Sequence, residues 1–174
     1  MGNNIFNISN WSNSEVYSKF DIVKHEGLFF YSSREDNLDK TPVVGSSYWS
    51  GLINITLTGV TKAHPYFFWA PSYGVQTDNE PKVVSIKFGN GYEQRMADGA
   101  NNDLLSLTLN FNNRSEKESE SIVHFLASRE GYKSFYFKLP PPYNIIKKFV
   151  CKSWSSQLEF DNNISVSVIF EEVV

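Results

Sequence analysis

The side chains best suited to nucleophilic chemistry in this chain are one cysteine, Cys151, and three histidines, His25, His64 and His124. A thiol attacks mainly as the thiolate, so a catalytic cysteine needs a neighbouring base or cation that lowers its pKa. A phenylalanine and a valine immediately precede Cys151, which favours a buried packing residue. The histidines fall in separate predicted elements, and we expect His124 on the polar side of a helix. The pattern therefore argues against a thiol catalytic triad.

Motifs that bind metals or phosphate are also missing from the sequence. It contains no HExxH pair, no paired cysteines and no EF-hand loop, and a single cysteine excludes a disulfide within the chain. The stretch 88–92, Phe-Gly-Asn-Gly-Tyr, could be taken for a glycine-rich phosphate loop. Such a loop opens a helix, whereas a second strand-like run follows here. We expect an enzyme activity, a metal and a cofactor all to be absent.

Aromatic residues near the start of the chain suggest a different chemistry, the stacking of rings on sugars. The order of the aromatic, Asp, Gly and Pro residues over the first 50 positions loosely resembles small chitin-binding-type carbohydrate modules. Phe20 stands where those modules have a glycine. The same aromatics could instead form the whole core of a module too small to have another. Both interpretations stay open for the candidate glycan-binding residues Trp11, Tyr17, Tyr31 and Trp49.

The elements that would position these residues divide the chain into two parts. Residues 1–57 read as a small β-module, with a hairpin that runs from Phe20 to Tyr31 and turns at Glu26-Gly27. The stretch from Thr58 to Pro65 carries a glycine and a proline and is the predicted joint. Residues 62–174 form the second predicted domain.

The second part contains one convincing helix signal. Ser115 followed by Glu118 predicts a capping box, in which the hydroxyl binds the N3 amide and the glutamate returns to the cap. Apolar residues then recur at helical spacing, and Gly131 suits the left-handed C′ position. We place the helix at about 116–129.

The remaining long segments of the second part alternate between polar and apolar residues, which predicts strands with one solvated face. The Asn90-Gly91 pair lies between two such runs and is the strongest hairpin signal in the chain, because both residues tolerate a positive φ. The prediction is a mainly β (α+β) fold, an antiparallel sandwich or barrel with one flanking helix. The predicted strands cover 83–88, 105–111, 134–138, 147–152 and 164–170.

The length and net charge of the chain limit the number of domains and the kinds of partner that it can have. The chain has 174 residues and a net charge of −3, which suits one ordinary domain or two small ones and argues against a broad basic surface for nucleic acid. No apolar run approaches the ~18 residues of a membrane span, and the start lacks the features of a signal peptide. We expect no membrane insertion.

The amino-acid sequence of the second part, from about residue 66 to 174, resembles the minor tail protein M family of lambda-like long-tailed bacteriophages. The order and spacing of its blocks carry this resemblance. They include Phe68-Trp69, Leu105 to Leu109, Gly131 to Phe135 and Val150 to Ser155. The most distinctive block is the hairpin motif with Phe88, Gly89, Asn90, Gly91, Tyr92 and Arg95.

The resemblance implies a structural virion protein at the distal end of the tail, with a tail-tube-like fold. It would form a ring, expected to be a homohexamer, that links the tail tube protein to the tail tip proteins and lets genomic DNA pass without specific binding. The alternative, which the aromatic residues of the first part suggest, is a protein that adsorbs to a host surface glycan. The loop 97–103 and the loop with Pro140, Pro141, Pro142 and an exposed Tyr143 are the expected contacts to the next ring.

Overall fold

The computed structural model describes residues 6–174 and shows a mainly β protein with one α-helix in that range. This confirms the predicted fold class. The helix α1 is Glu116–Ser128. The first seven strands are β1 (Val16–Tyr17), β2 (Ile22–His25), β3 (Leu28–Ser32), β4 (Asn37–Leu38), β5 (Trp49–Ser50), β6 (Leu52–Leu57) and β7 (Val60–Phe67). The other strands are β8 (Gln76–Asn79), β9 (Val83–Lys87), β10 (Glu93–Ala97), β11 (Leu105–Arg114), β12 (Phe135–Lys138), β13 (Ile146–Phe160) and β14 (Asn163–Glu172).

A seven-stranded sheet organises the larger part of the molecule. Its strand order is β6-β7-β12-β13-β14-β11-β8, with β7 and β12 parallel and the other neighbours antiparallel. Three smaller sheets, β2-β3-β5, β1-β4 and β9-β10, complete the described strands. In the seven-stranded sheet β6 pairs only with β7 and β8 only with β11, so both outer strands have a free edge within residues 6–174.

Alternation along the central strands explains how the core forms. In β11 every second residue from Leu105 to Phe111 is buried, while the residues between them are partly exposed. The same face of β12, β13 and β14 adds more phenylalanines, and α1 covers it with Ile122 and Leu126. Phe67 lies at the centre of this core. Its ring centroid lies within 6.1 Å of six other aromatic rings, those of Trp69, Phe111, Phe125, Phe135, Phe137 and Phe170.

The helix begins as predicted but its capping differs in detail. The Ser115 side chain accepts a hydrogen bond from the backbone N–H of Glu118 at 3.3 Å. The predicted return of Glu118 to the cap is wrong, because its carboxylate binds Arg114 at 3.1 Å. Arg129 is the C-cap, so the left-handed C′ position belongs to Glu130 (φ 53°) and not to Gly131, which follows with φ 75°.

The first part folds around its own small core. The predicted hairpin is present as β2 and β3, with Glu26 and Gly27 both at positive φ in the turn. Phe20, which replaces the glycine of the carbohydrate modules, has a φ of 71°, a conformation that a bulky side chain rarely adopts. Thr58 and Gly59 form the turn of the β6–β7 hairpin, so this hairpin spans the predicted joint. The division into 1–57 and 62–174 stays a prediction.

Candidate functional site

The hairpin motif of residues 88–92 forms the tip of a two-stranded ribbon, β9–β10. Asn90 and Gly91 have φ values of 71° and 77°, which confirms the predicted turn chemistry. The backbone N–H of Phe88 donates to the carbonyl of Tyr92 at 2.7 Å and closes the turn. At its base, the N–H of Asp98 donates to the Lys82 carbonyl at 2.9 Å. The ribbon is thus a regular element and not a phosphate loop.

Both faces of this ribbon are exposed, and every residue of β9 and β10 is open to solvent. The expectation that 83–88 has only one solvated face is therefore wrong: alternation is present, but the described chain supplies nothing to cover the apolar side. The register pairs Glu93 with Lys87 and Met96 with Val84, which puts polar and apolar residues on opposite faces. The polar face carries Ser85, Lys87, Glu93 and Arg95, with the apolar pair Val83 and Ala97 at its base. The apolar face carries Val84, Ile86, Phe88, Tyr92 and Met96, with Gln94 among them.

A second amphipathic hairpin, β6–β7, lies at the other end of the seven-stranded sheet. Its register places Ile55 opposite Lys62 and Leu57 opposite Val60. These side chains, with Thr58 and His64, line a groove of about 330 Å³. The sequence did not identify this site, although alternating residues on both sides of Thr58-Gly59 are a hairpin signal.

The free edges next to these two hairpins differ in charge. The β6–β7 hairpin carries the cation Lys62, whereas the segment from β8 to the ribbon carries Asp78, Glu80 and Lys82, which together have one net negative charge. An unpaired strand edge presents free N–H and C=O groups and is a template for strand addition. The two ends of the sheet are therefore complementary in charge as well as unpaired.

The loop of residues 140–143 matches the expected exposure except at Tyr143. Pro141 and Pro142 are exposed and Pro140 is partly exposed, as an interface loop requires. Tyr143 is not exposed as expected: it is half-buried, packs against the main core, and its hydroxyl accepts a hydrogen bond from Asn79 at 3.3 Å. The loop is thereby tied to the end of β8. A role of this loop or of 97–103 in contacts between rings stays a prediction.

The candidate sugar-binding aromatics are mostly core residues. Tyr17 and Trp49 belong to the small core of the first part, and Tyr31 is buried in the main core. Trp11 alone of the four is partly exposed; its ring lies edge-on to His25 with centroids 5.3 Å apart. The four rings do not form one exposed platform. Glycan binding by this module stays a prediction, and it would depend on Trp11.

The prediction that His124 lies on the polar side of the helix is wrong. It is 2% exposed, and its ring packs edge-on against Phe29 of the first part at 4.8 Å. Lys117, on the same helix, forms an ion pair with Asp21 at 2.8 Å. The first part therefore lies against α1, on the helix side of the seven-stranded sheet.

Cys151 is buried, as the sequence predicts, and has no catalytic neighbour. Its thiol donates to the carbonyl of Ser153 at 3.2 Å, and burial raises the pKa of the thiol to about 11. Within residues 6–174 no cluster of three or more His, Cys, Asp or Glu side chains could hold a metal ion. Helix α1 is too short and too polar to cross a membrane, and the structure describes no other α-helix within residues 6–174.

Free sheet edges and exposed amphipathic ribbons are typical of subunits that assemble with other protein chains. Residues 65–174 match the model of the family described as phage minor tail protein. Because this match covers more than half of the sequence, the chain belongs to the phage minor tail protein family. It therefore has a structural role in the phage tail and is located in the virion tail.

Individual proteins that are similar to the chain include a curated relative and a solved structure. The tail tip protein M of Escherichia phage lambda is 32% identical over 108 residues, which cover 62% of this chain and 96% of that protein. A solved chain from the tail of an empty GTA particle, obtained by helical refinement with C6 symmetry, has a TM-score of 0.45 and 14% identity. The superposition covers 71% of this chain and 90% of the GTA chain.

Proposed function

We propose that six copies of this chain form a closed ring at the distal end of the tail, between the tail tube and the tail tip proteins. The ring surrounds the channel through which genomic DNA leaves. The chain acts as a structural conduit and has no catalytic activity. Its similarity to the tail tip protein M of phage lambda supports the position at the tip.

The open seven-stranded sheet is the observation that carries this proposal. Its outer strands, β6 and β8, lie at opposite ends of one sheet, and each has an unpaired edge within the described chain. Pairing β6 of one copy with β8 of the next is a head-to-tail contact. Repeated head-to-tail contacts close into a ring when the rotation between neighbours is a simple fraction of a turn. Ring closure would pair all of these edges at once and remove the aggregation hazard that they represent.

The position of the first part indicates which face of the sheet points outward. Both α1 and the first part lie on one face. A channel wall must leave the axis open, so we assign this bulky face to the outside of the ring. The opposite face of β11 and β14 carries hydroxyl and amide side chains such as Ser106, Thr108, Asn110 and Ser167.

Passage of DNA requires that the wall bind phosphates weakly. A channel lined with many unpaired lysines and arginines would hold DNA through counterion release. The chain has 16 basic and 19 acidic residues, so its net charge is slightly negative. This balance supports transit without specific binding.

Imaging of purified tails tests the proposal directly. We expect a six-fold annulus, centred on the tube axis at its distal end and labelled when this chain carries an N-terminal tag. Native mass spectrometry of the released annulus should give six times the chain mass. Any other symmetry, or a position away from the axis, would contradict the proposal. A soluble monomer before assembly would not, because rings of this kind can require the tube end as a template.

A further inference from the structure

We infer that the apolar face of the β9–β10 ribbon of one copy seats on the β6–β7 hairpin of the neighbouring copy. This inference rests on the proposed ring and identifies a contact that holds it together. The ribbon face is defined by Val84, Ile86, Phe88, Tyr92 and Met96. The receiving groove is defined by Ile55, Leu57, Val60, Lys62 and His64.

The ribbon needs a cover that its own chain does not supply. Phe88 is 50% exposed and Tyr92 is 76% exposed, and the aliphatic residues of the same face are at least 39% exposed. An isolated two-stranded hairpin is at best marginally stable in water without such a cover. A contiguous apolar surface on one face of a ribbon marks an interaction site. The regular pairing of β9 with β10 therefore points to a partner that buries this face.

The β6–β7 groove is suited to bind the apolar face of the ribbon, both by its exposed apolar residues and by its position in the sheet. Its floor is aliphatic, with Leu57 58% exposed and Val60 54% exposed, so it also has apolar surface to bury. The groove lies at the β6 end of the sheet, whereas the ribbon continues the chain directly after β8 at the opposite end. A second copy placed head-to-tail brings the two surfaces together.

Charge supports the same pairing. Lys62 borders the groove, and the segment just before the ribbon carries Asp78, Glu80 and Lys82, a net charge of one negative. When β8 approaches β6 of the next copy, these acidic residues come beside Lys62. Two copies related by a two-fold axis would instead bring like charges together at each end, which disfavours a closed dimer.

The receiving surface lies outside the residues that match the family model. The family match begins at residue 65, after β6 and most of β7. The groove is therefore built from residues that precede the shared region, whereas the ribbon lies inside it.

Site-specific photo-crosslinking in assembled tails tests this contact. A benzophenone amino acid replaces Phe88, on the apolar face, or Ser85, on the polar face as the matched control. We expect Phe88 to give a crosslinked dimer whose peptide maps to 53–64 of the second copy, and Ser85 to give at least about tenfold less of this product, as for a contact limited to one face. Phe88 crosslinks that map elsewhere, while the annulus is visible, would overturn the inference and leave the ring intact. Absence of both the dimer and the annulus would overturn the ring as well.

Charge reversal provides a second, independent test. Lys62→Glu and Glu80→Lys should each lower the yield of the Phe88 crosslink about tenfold, since like charges then face each other. The double variant should restore it. Circular dichroism of each monomer controls for folding. Unchanged crosslinking in both single variants would overturn the assignment of Lys62 to the contact.

Discussion

The hydroxyl of Tyr31 lies 3.0 Å from Nδ1 of His124, although 93 residues separate them in sequence. Burial raises the pKa of Tyr31 well above its ordinary value of 10. Burial, together with the nearby positive charge of Arg129, lowers the pKa of His124 to about 4. The hydrogen bond thus joins a neutral phenol and a neutral imidazole. This hydrogen bond joins the first part of the chain to helix α1.

Acid should loosen this junction. The pKa of His124 is about 4 in the folded protein and about 6.5 in an unfolded chain. The unfolded state therefore binds the proton more readily, and stability falls as the pH drops from about 6.5 towards 4. Thermal unfolding followed by calorimetry should show this decrease. The variant His124→Gln should be less stable at neutral pH but less sensitive to acid, and equal pH slopes for both proteins would contradict the assignment to His124.

A methyl group at position 51 should disrupt the same junction. Gly51 has a φ of 104°, and a Cβ built there would lie 2.6 Å from Cδ2 of Tyr31. The Tyr31 ring is held by Trp69 at 5.0 Å and cannot easily move. We expect Gly51→Ala to cost on the order of 2–4 kcal/mol in free energy of unfolding.

Gly45→Ala is the matched control for this prediction. Gly45 also has a positive φ, 85°, but a Cβ there would meet no atom within 4 Å. Only backbone strain of about 1–2 kcal/mol is expected. Chemical denaturation measures both variants, and equal losses would show that the Tyr31 contact is not what makes alanine costly at position 51.

Truncation of Phe67 should be the most damaging change in the core. Phe67 is fully buried at the centre of the aromatic cluster, so Phe67→Ala leaves a cavity and should cost about 3–5 kcal/mol. Phe160 is 65% exposed near the tip of the β13–β14 hairpin. Phe160→Ala should therefore change the midpoint of urea unfolding of the monomer little. A comparable loss at both positions would contradict the placement of the core.

The single cysteine should be inert in the folded protein. Burial of Cys151 and the raised pKa of its thiol, about 11, suppress thiolate formation at pH 8. Iodoacetamide should modify it at least about a hundredfold more slowly than a free thiol of ordinary pKa, since a rise of two or more pKa units reduces the thiolate fraction by that factor. Denaturant should restore rapid modification, which mass spectrometry detects. Fast modification without denaturant would contradict the burial.

Local chemistry made several elements predictable from the sequence. The cap at Ser115 set the start of α1, and the Asn90-Gly91 pair set the ribbon turn, because both signals act within a few residues. Alternation likewise located β11 and β14. The burial of His124 was not predictable, because it depends on contacts with β3, which is distant in sequence. The exposure of both faces of β9–β10 was equally hidden, since alternation looks the same whether a chain covers its own apolar face or leaves it for a partner.

The two uncapped ends of the seven-stranded sheet have a consequence for production of the protein in the cell. A head-to-tail contact that fails to close continues as an open fibre. If the head-to-tail contact forms without the tube end as a template, copies released faster than tube ends become available would polymerise into filaments, and balanced synthesis with the tube subunit would protect against this loss.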